Sequence, residues 1–118
     1  MNKIEILGRL TKDVEVKKSK NDKSFITFSI AVPRKMNKDI TDFIDCIAFG
    51  KIAESIYKYT EKGNRIMIIG ELHIDNYTDN EGKNKKSISV MVEDFYFLDF
   101  KKELSQQKDK NDNQISFK

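Results

Sequence analysis

The stretch Asp42–Gly63, DFIDCIAFGKIAESIYKYTEKG, carries two hydrophobic periods in succession. Up to Phe49 the pattern alternates. Phe43 and Phe49 lie six residues apart, so at a strand's period of two both rings point to one face. Ile44, Cys46 and Ala48 form the opposite row and read as a core face. At Gly50 the period changes: Ile52, Ile56 and Tyr59 fall at i, i+4 and i+7, with Ala53 and Tyr57 beside them. That spacing predicts one stripe of an amphipathic helix. Gly63 reads as the helix stop, with Lys58 and Lys62 in a last turn where the dipole favours cations. A strand that turns two large rings away from its own core must use them for something else.

Upstream, KIEILGRL (residues 3–10) reads as a strand, with Gly8 interrupting the alternation as a bend or bulge does. Thr11 to Val16 is expected to continue that bent strand, and Lys17–Lys23 (KKSKNDK) to form a polar turn. From Ser24 to Val32, buried-type Ile26, Phe28, Ile30 and Val32 alternate with Thr27, Ser29 and Ala31, and Pro33 ends the strand. The loop RKMNKDIT (Arg34 to Thr41) sets three basic residues around Met36.

Downstream, Arg65 to Tyr77 reads as a long strand with Ile66, Ile68, Leu72 and Ile74 on the inward parity and Gly70 at a bend. TDNEGKNKK (Thr78 to Lys86) is a hairpin loop, and Ser87 to Val92 returns. The phase slips at Glu93-Asp94, so a bulge is expected before Phe95 and Phe97. Residues 103–118 are polar and without periodicity, which reads as a disordered tail tipped by Ile115 and Phe117. Strand, strand, strand, helix, strand, strand is the order of an all-β, five-stranded OB-fold Greek-key barrel with one helix between strands 3 and 4. The expected domain is 1–102, followed by the tail at 103–118.

At 118 residues the chain suits one domain with a modest core. Its 22 basic and 19 acidic side chains leave a net charge of only +3, which does not by itself specify a nucleic-acid partner. No apolar window is long enough to span a membrane, and the N-terminus lacks a signal-peptide core, so a cytoplasmic protein is expected. One cysteine (Cys46) and one histidine (His73) exclude a disulfide framework and a Cys/His zinc site. They also supply no catalytic set, and KGNRIMIIG is a helix stop before a strand rather than a phosphate loop. Neither an enzyme nor a cofactor is expected.

What remains are rings and cations. Single-stranded nucleic acid is held by aromatic platforms that stack on bases and by cations that track phosphates. Phe43, Phe49 and, at the end of the fourth strand, Tyr77 are candidate platforms. The same outward rings would equally serve a subunit interface or a second small core under a loop. Arg34, Lys35, Lys51, Lys62 and Arg65 flank these elements as candidate phosphate contacts, with a solvated side chain as the alternative at each.

NKIEILGRLTKD at the start, FITFSIAV, DFIDCIAFGKIAE, YTEKG, GEL and YTDNEG together resemble the bacterial and phage single-stranded DNA-binding protein family, from Met1 to about Phe100. The resemblance implies an OB-fold, a homotetramer that wraps DNA, no catalysis, and work in replication, recombination and repair. It places four stacking positions at Met36, Phe43, Phe49 and Tyr77. Met36 departs from the family's usual Trp or Phe, and a thioether packs on a base without offering a ring. Asp45 stands where relatives often carry Arg or Asn, and Asp75 and Asn76 where they are often basic.

Relatives usually end in an acidic run and a terminal Phe that recruits partner proteins. Here the segment from Ser105 holds three lysines and two aspartates and ends in Lys118, so weak or altered recruitment through Ile115 and Phe117 is expected. Two other classes remain open. An OB-fold adaptor would use the same face for protein contacts. A cold-shock-like RNA binder would read 2′-hydroxyls, but such proteins lack the helix after strand 3.

Overall fold

The computed structural model describes residues 1–102, so the expected tail with Ile115 and Phe117 lies outside the described residues. The elements are β1 (Ile4–Leu10), β2 (Glu15–Lys18), β3 (Ser24–Pro33), β4 (Thr41–Phe49), α1 (Gly50–Tyr59), β5 (Arg65–Thr78) and β6 (Asn84–Phe97). The strands lie in the order β1-β5-β6-β4-β3-β2, and β1 also pairs with β3 through Arg9↔Ala31 and Leu10↔Ile30. That second pairing closes β1, β5, β6, β4 and β3 into a five-stranded barrel, leaving β2 as a short flap on β3. The helix falls between the third and fourth barrel strands, as in an OB-fold.

The first strand does not continue to Val16. The chain leaves β1 at Leu10, buries Val14, and starts β2 as a separate hairpin partner of β3, with Val16 opposite Ile26 and Lys17 opposite Phe25. Gly8 explains the bend: a Cβ there would lie 2.7 Å from the Ala31 carbonyl oxygen, where β1 crosses from β5 to β3.

Leu10, Ile30, Ile66, Ile68 and Val90 fill the barrel, and Ala53 and Ile56 of α1 are buried against this core. Near the end of α1, Phe97 packs within ring-contact distance of Tyr59, Phe95 and Phe100. The helix ends earlier than Gly63. Thr60 leaves the helical conformation and its hydroxyl donates to the Ile56 carbonyl at 2.6 Å, while Gly63, at φ +90°, forms the following turn and donates to the Leu10 carbonyl. A buried hydroxyl that satisfies a carbonyl of the last turn ends the helix without the glycine.

The expected phase slip on β6 is present. Ile69 pairs with Asp94 and Gly70 with Val92, so Glu93 is the extra residue of a bulge. At the same level the Gly70 backbone packs against the Met91 carbonyl so closely that no Cβ fits. Beyond the rung Leu72↔Val90, the last whose β6 residue also pairs with β4, β5 and β6 run on as a two-stranded arm clear of the barrel. Leu72 and Ile74 keep the inward parity but are exposed, contrary to the burial that their pattern predicts, because β1 stops pairing with β5 at Gly70 and they lie past that edge. The Asn2 side chain holds the root of the arm, accepting from the Leu72 N–H at 2.9 Å and donating to its carbonyl at 2.8 Å. It thereby adds one amide-like rung beyond the last β1–β5 pair, Ile4↔Gly70.

Candidate nucleic-acid interface

On β4 the alternation resolves as its sequence suggests: Cys46 and Ala48 are buried, Ile44 partly so, while Phe43, Asp45 and Phe49 face outward. Phe43 is 67% exposed and Phe49 41%. Opposite Phe43 on β3 stands Ala31, too small to cover the ring. Opposite Phe49 stands Phe25, with ring centroids 5.3 Å apart and planes tilted by 34°. Phe25 is thus part of the outward aromatic surface. Its position one residue before the apolar run of β3 hid it, although its parity with Thr27 and Ser29 was the available signal.

β4 runs parallel to β6, with Ile47 opposite Met91, and Met91 in turn pairs with Glu71 of β5. Following β5 from Glu71 leads toward the Phe43 end of the face and out along the arm to Tyr77, which is 50% exposed and shares its parity with Glu71. Met36, 95% exposed, lies in the β3–β4 loop beyond Phe43. The structure therefore sets Met36, Phe43 and Tyr77 toward one end of the outer face and Phe49 with Phe25 toward the other. Phe43 and Phe49 are separated by roughly 20 Å of strand.

The cations are divided. Lys35 is exposed in the loop with Met36, and Lys51 is exposed in the first turn of α1, two residues after Phe49. Arg34 forms a two-pronged pair with Asp42, Nε to Oδ2 at 3.1 Å and Nη2 to Oδ1 at 3.2 Å, which raises its pKa. Arg65 is held the same way by Asp99 at 3.0 and 3.2 Å, and its backbone N–H also donates to Asp99. These bonds lower the Asp99 pKa, the side-chain bond from Arg65 contributing most. A phosphate at either arginine must displace a carboxylate that already fits the guanidinium fork. Arg65 lies about 40 Å along β5 from Tyr77, twelve residues away. Lys62 sits beyond the C-terminal end of α1, its backbone N–H bonded to Asp13, so the structure does not bring Lys62 or Arg65 to the Phe43–Tyr77 end.

Acidic groups interrupt the same surface. Asp45 projects between the two β4 rings opposite Ser29, and Glu71 and Asp75 lie on the Tyr77 side of the arm. His73 contacts Glu71 at 2.9 Å. Burial, helped by the Asp45 charge, pushes the Cys46 thiol up to about 12, so it is fully protonated at neutral pH and no nucleophile. Among the described residues, no three His, Cys, Asp or Glu side chains group as metal ligands, and no helix is long and apolar enough to cross a membrane.

Residues 1–98 match the Single-strand binding protein family. The chain belongs to that family. It is 39% identical over 100 residues to a single-stranded DNA-binding protein of Clostridium perfringens, a match that covers 84% of this chain and 67% of the relative. A relative of the same description from Onion yellows phytoplasma is 35% identical over 104 residues, covering 86% and 97% respectively. Among solved structures, the Plasmodium falciparum SSB complex with ssDNA superposes with a TM-score of 0.71 at 25% identity, covering 84% of this chain and 96% of that one. Family membership and the barrel agree: the outer face described above belongs to a single-strand binding protein domain.

Proposed function

We propose that this protein binds single-stranded DNA without sequence preference, coating and protecting exposed strands by base stacking and phosphate contact. The observation that carries this reading is the set of solvent-exposed rings on one outer face, Phe43, Phe49 and Tyr77, in a chain of this family. Each base stack contributes roughly 1–3 kcal/mol and is indifferent to base identity, because every base has a π-face. Met36 adds a softer, weaker contact. Lys35 and Lys51 are the cations best placed for phosphates, and Lys62, Arg34 and Arg65 are assigned secondary roles along a wrapped strand. No catalytic role is assigned to the face.

A homotetramer is part of the proposal. Leu7, Met67 and Tyr96 form one straight cross-strand row on the outside of β1, β5 and β6, with Ile69 beside it. Leu7 and Tyr96 are exposed, an apolar surface suited to burial between copies. The protein would act in the cytoplasm in replication, recombination and repair. Ile115 and Phe117 are assigned to partner docking.

Oligo-dT titration at several lengths and salt concentrations tests the function. Strong salt dependence and length dependence are expected. Phe43→Ala and Phe49→Ala should each weaken binding by about five- to a hundredfold with the circular dichroism spectrum unchanged. Unchanged affinity in both variants overturns the stacking assignment, and a wild-type protein indifferent to oligo-dT overturns the function.

A further inference from the structure

A cleft of about 520 Å³ opens between α1, the β2–β3 hairpin and the β4–α1 junction. Its walls include Val16, Phe25, Phe49 and Tyr57, with Lys23 and Glu54 among its polar groups. The size is that of a small-molecule site. Two of its aromatic rings stand at the margin of the core. Tyr57 lies one turn after buried Ala53 on α1 and is half exposed, while Phe25 is only partly buried and leans on Phe49.

We propose that this cleft receives one nucleobase of the bound strand, turned in beyond Phe49 and lying against Phe25 and Tyr57. The inference rests on the single-strand binding reading above and extends it to residues that the ring row alone does not include. Phe49 is the link, since it is both a platform of the outer face and a wall of the cleft. A strand that stacks on Phe49 is already at the cleft's mouth. At 5.3 Å between centroids there is no room for a base between Phe25 and Phe49, so the base lies on their cleft side.

Charge supports the same occupant. Lys23 lines the cleft, Lys17 stands opposite Phe25 on β2, and exposed Lys51 follows Gly50, itself part of the lining. These cations suit a phosphodiester passing over the rim. Glu54 disfavours a phosphate inside the cleft but accepts hydrogen bonds, and each base carries an N–H on its Watson–Crick edge. The cleft therefore admits a base edge-first with its backbone left outside.

The test uses the full chain, oligo-dT carrying single 5-iodouracil substitutions, and the variants Tyr57→Ala and Phe25→Leu, with Phe43→Ala as the control for the main face. Tyr57→Ala removes an exposed helix side chain and leaves the fold intact. Expected are photocrosslinks to the segments holding Phe25 or Tyr57 and about five- to tenfold weaker binding in Tyr57→Ala, with Phe25→Leu weakened similarly. If wild type binds and Phe43→Ala is impaired, but Tyr57→Ala binds as wild type without a crosslink in the cleft, the cleft assignment falls and the single-strand reading stands. A Tyr57→Ala variant with altered oligomeric state and unaltered oligo-dT affinity assigns the cleft to contact between copies, which also overturns the proposal. Failure of wild type to bind oligo-dT removes both readings together.

Discussion

The two halves of β5 carry the same alternation and meet opposite fates. From Arg65 to Gly70, Ile66 and Ile68 are fully buried in the barrel; from Glu71 to Thr78, Leu72 and Ile74 keep that parity but face solvent on the arm. Alternation assigns a side chain to a face of the sheet, and burial depends on whether another layer lies over that face. The barrel half is thus the stable half, while the arm holds few buried apolar contacts and presents Tyr77 outward. Stability and the proposed DNA contact are separated along a single strand.

Substitutions at matched parity give the largest contrast. Ile68→Ala should cost about 3–4 kcal/mol in urea or thermal unfolding, as buried Ile→Ala changes do. Ile74→Ala should stay within about 0.5 kcal/mol. Equal losses at both sites would mean that the arm is buried against something in solution, a second copy being the first candidate. A smaller effect is expected for Tyr77→Ala, which should weaken oligo-dT binding by about tenfold with the unfolding midpoint unchanged. If its affinity matches wild type while Phe43→Ala fails, the strand follows the barrel face and leaves the arm uncontacted. The smallest effects concern charge. Asp45→Asn on the barrel and Asp75→Asn on the arm should each tighten binding by about two- to threefold at low salt, converging on wild type as salt screens the interaction. Tightening at Asp45 alone would confine the strand to the barrel.

Much of this architecture is legible in the residues. Phe43, Cys46, Ala48 and Phe49 sort correctly by parity because β4 is flanked on both sides and has a real interior. Ala53 and Ile56 mark the buried side of α1 for the same reason. The phase slip at Glu93 is readable because Phe95 and Phe97 cannot share an uninterrupted alternation with Val90 and Val92. What the sequence hides depends on partners distant in the chain. Leu72 and Ile74 look inward until the end of the barrel is known. Thr60 ends the helix through a bond back to Ile56, where Gly63 looked the stronger signal. Arg34 and Arg65 look like free cations until Asp42 and Asp99 are seen in their forks, and the 34-residue separation of Arg65 from Asp99 leaves no local trace. Parity puts Phe25 on the outer face, but its register with Phe49 is what joins it to the candidate site.

The bulge at Glu93 also governs how this protein tolerates changes in chain length. Strand alternation counts residues rather than distance, so one surplus residue lets β6 turn apolar side chains inward on even positions before it and odd positions after it. The chain thereby serves two core neighbourhoods with one continuous strand. A single insertion or deletion between Val92 and Phe95 would rephase one of them wholesale, whereas an added pair of residues in the turn at Asp79–Lys83 would lengthen the arm and leave every barrel contact in place.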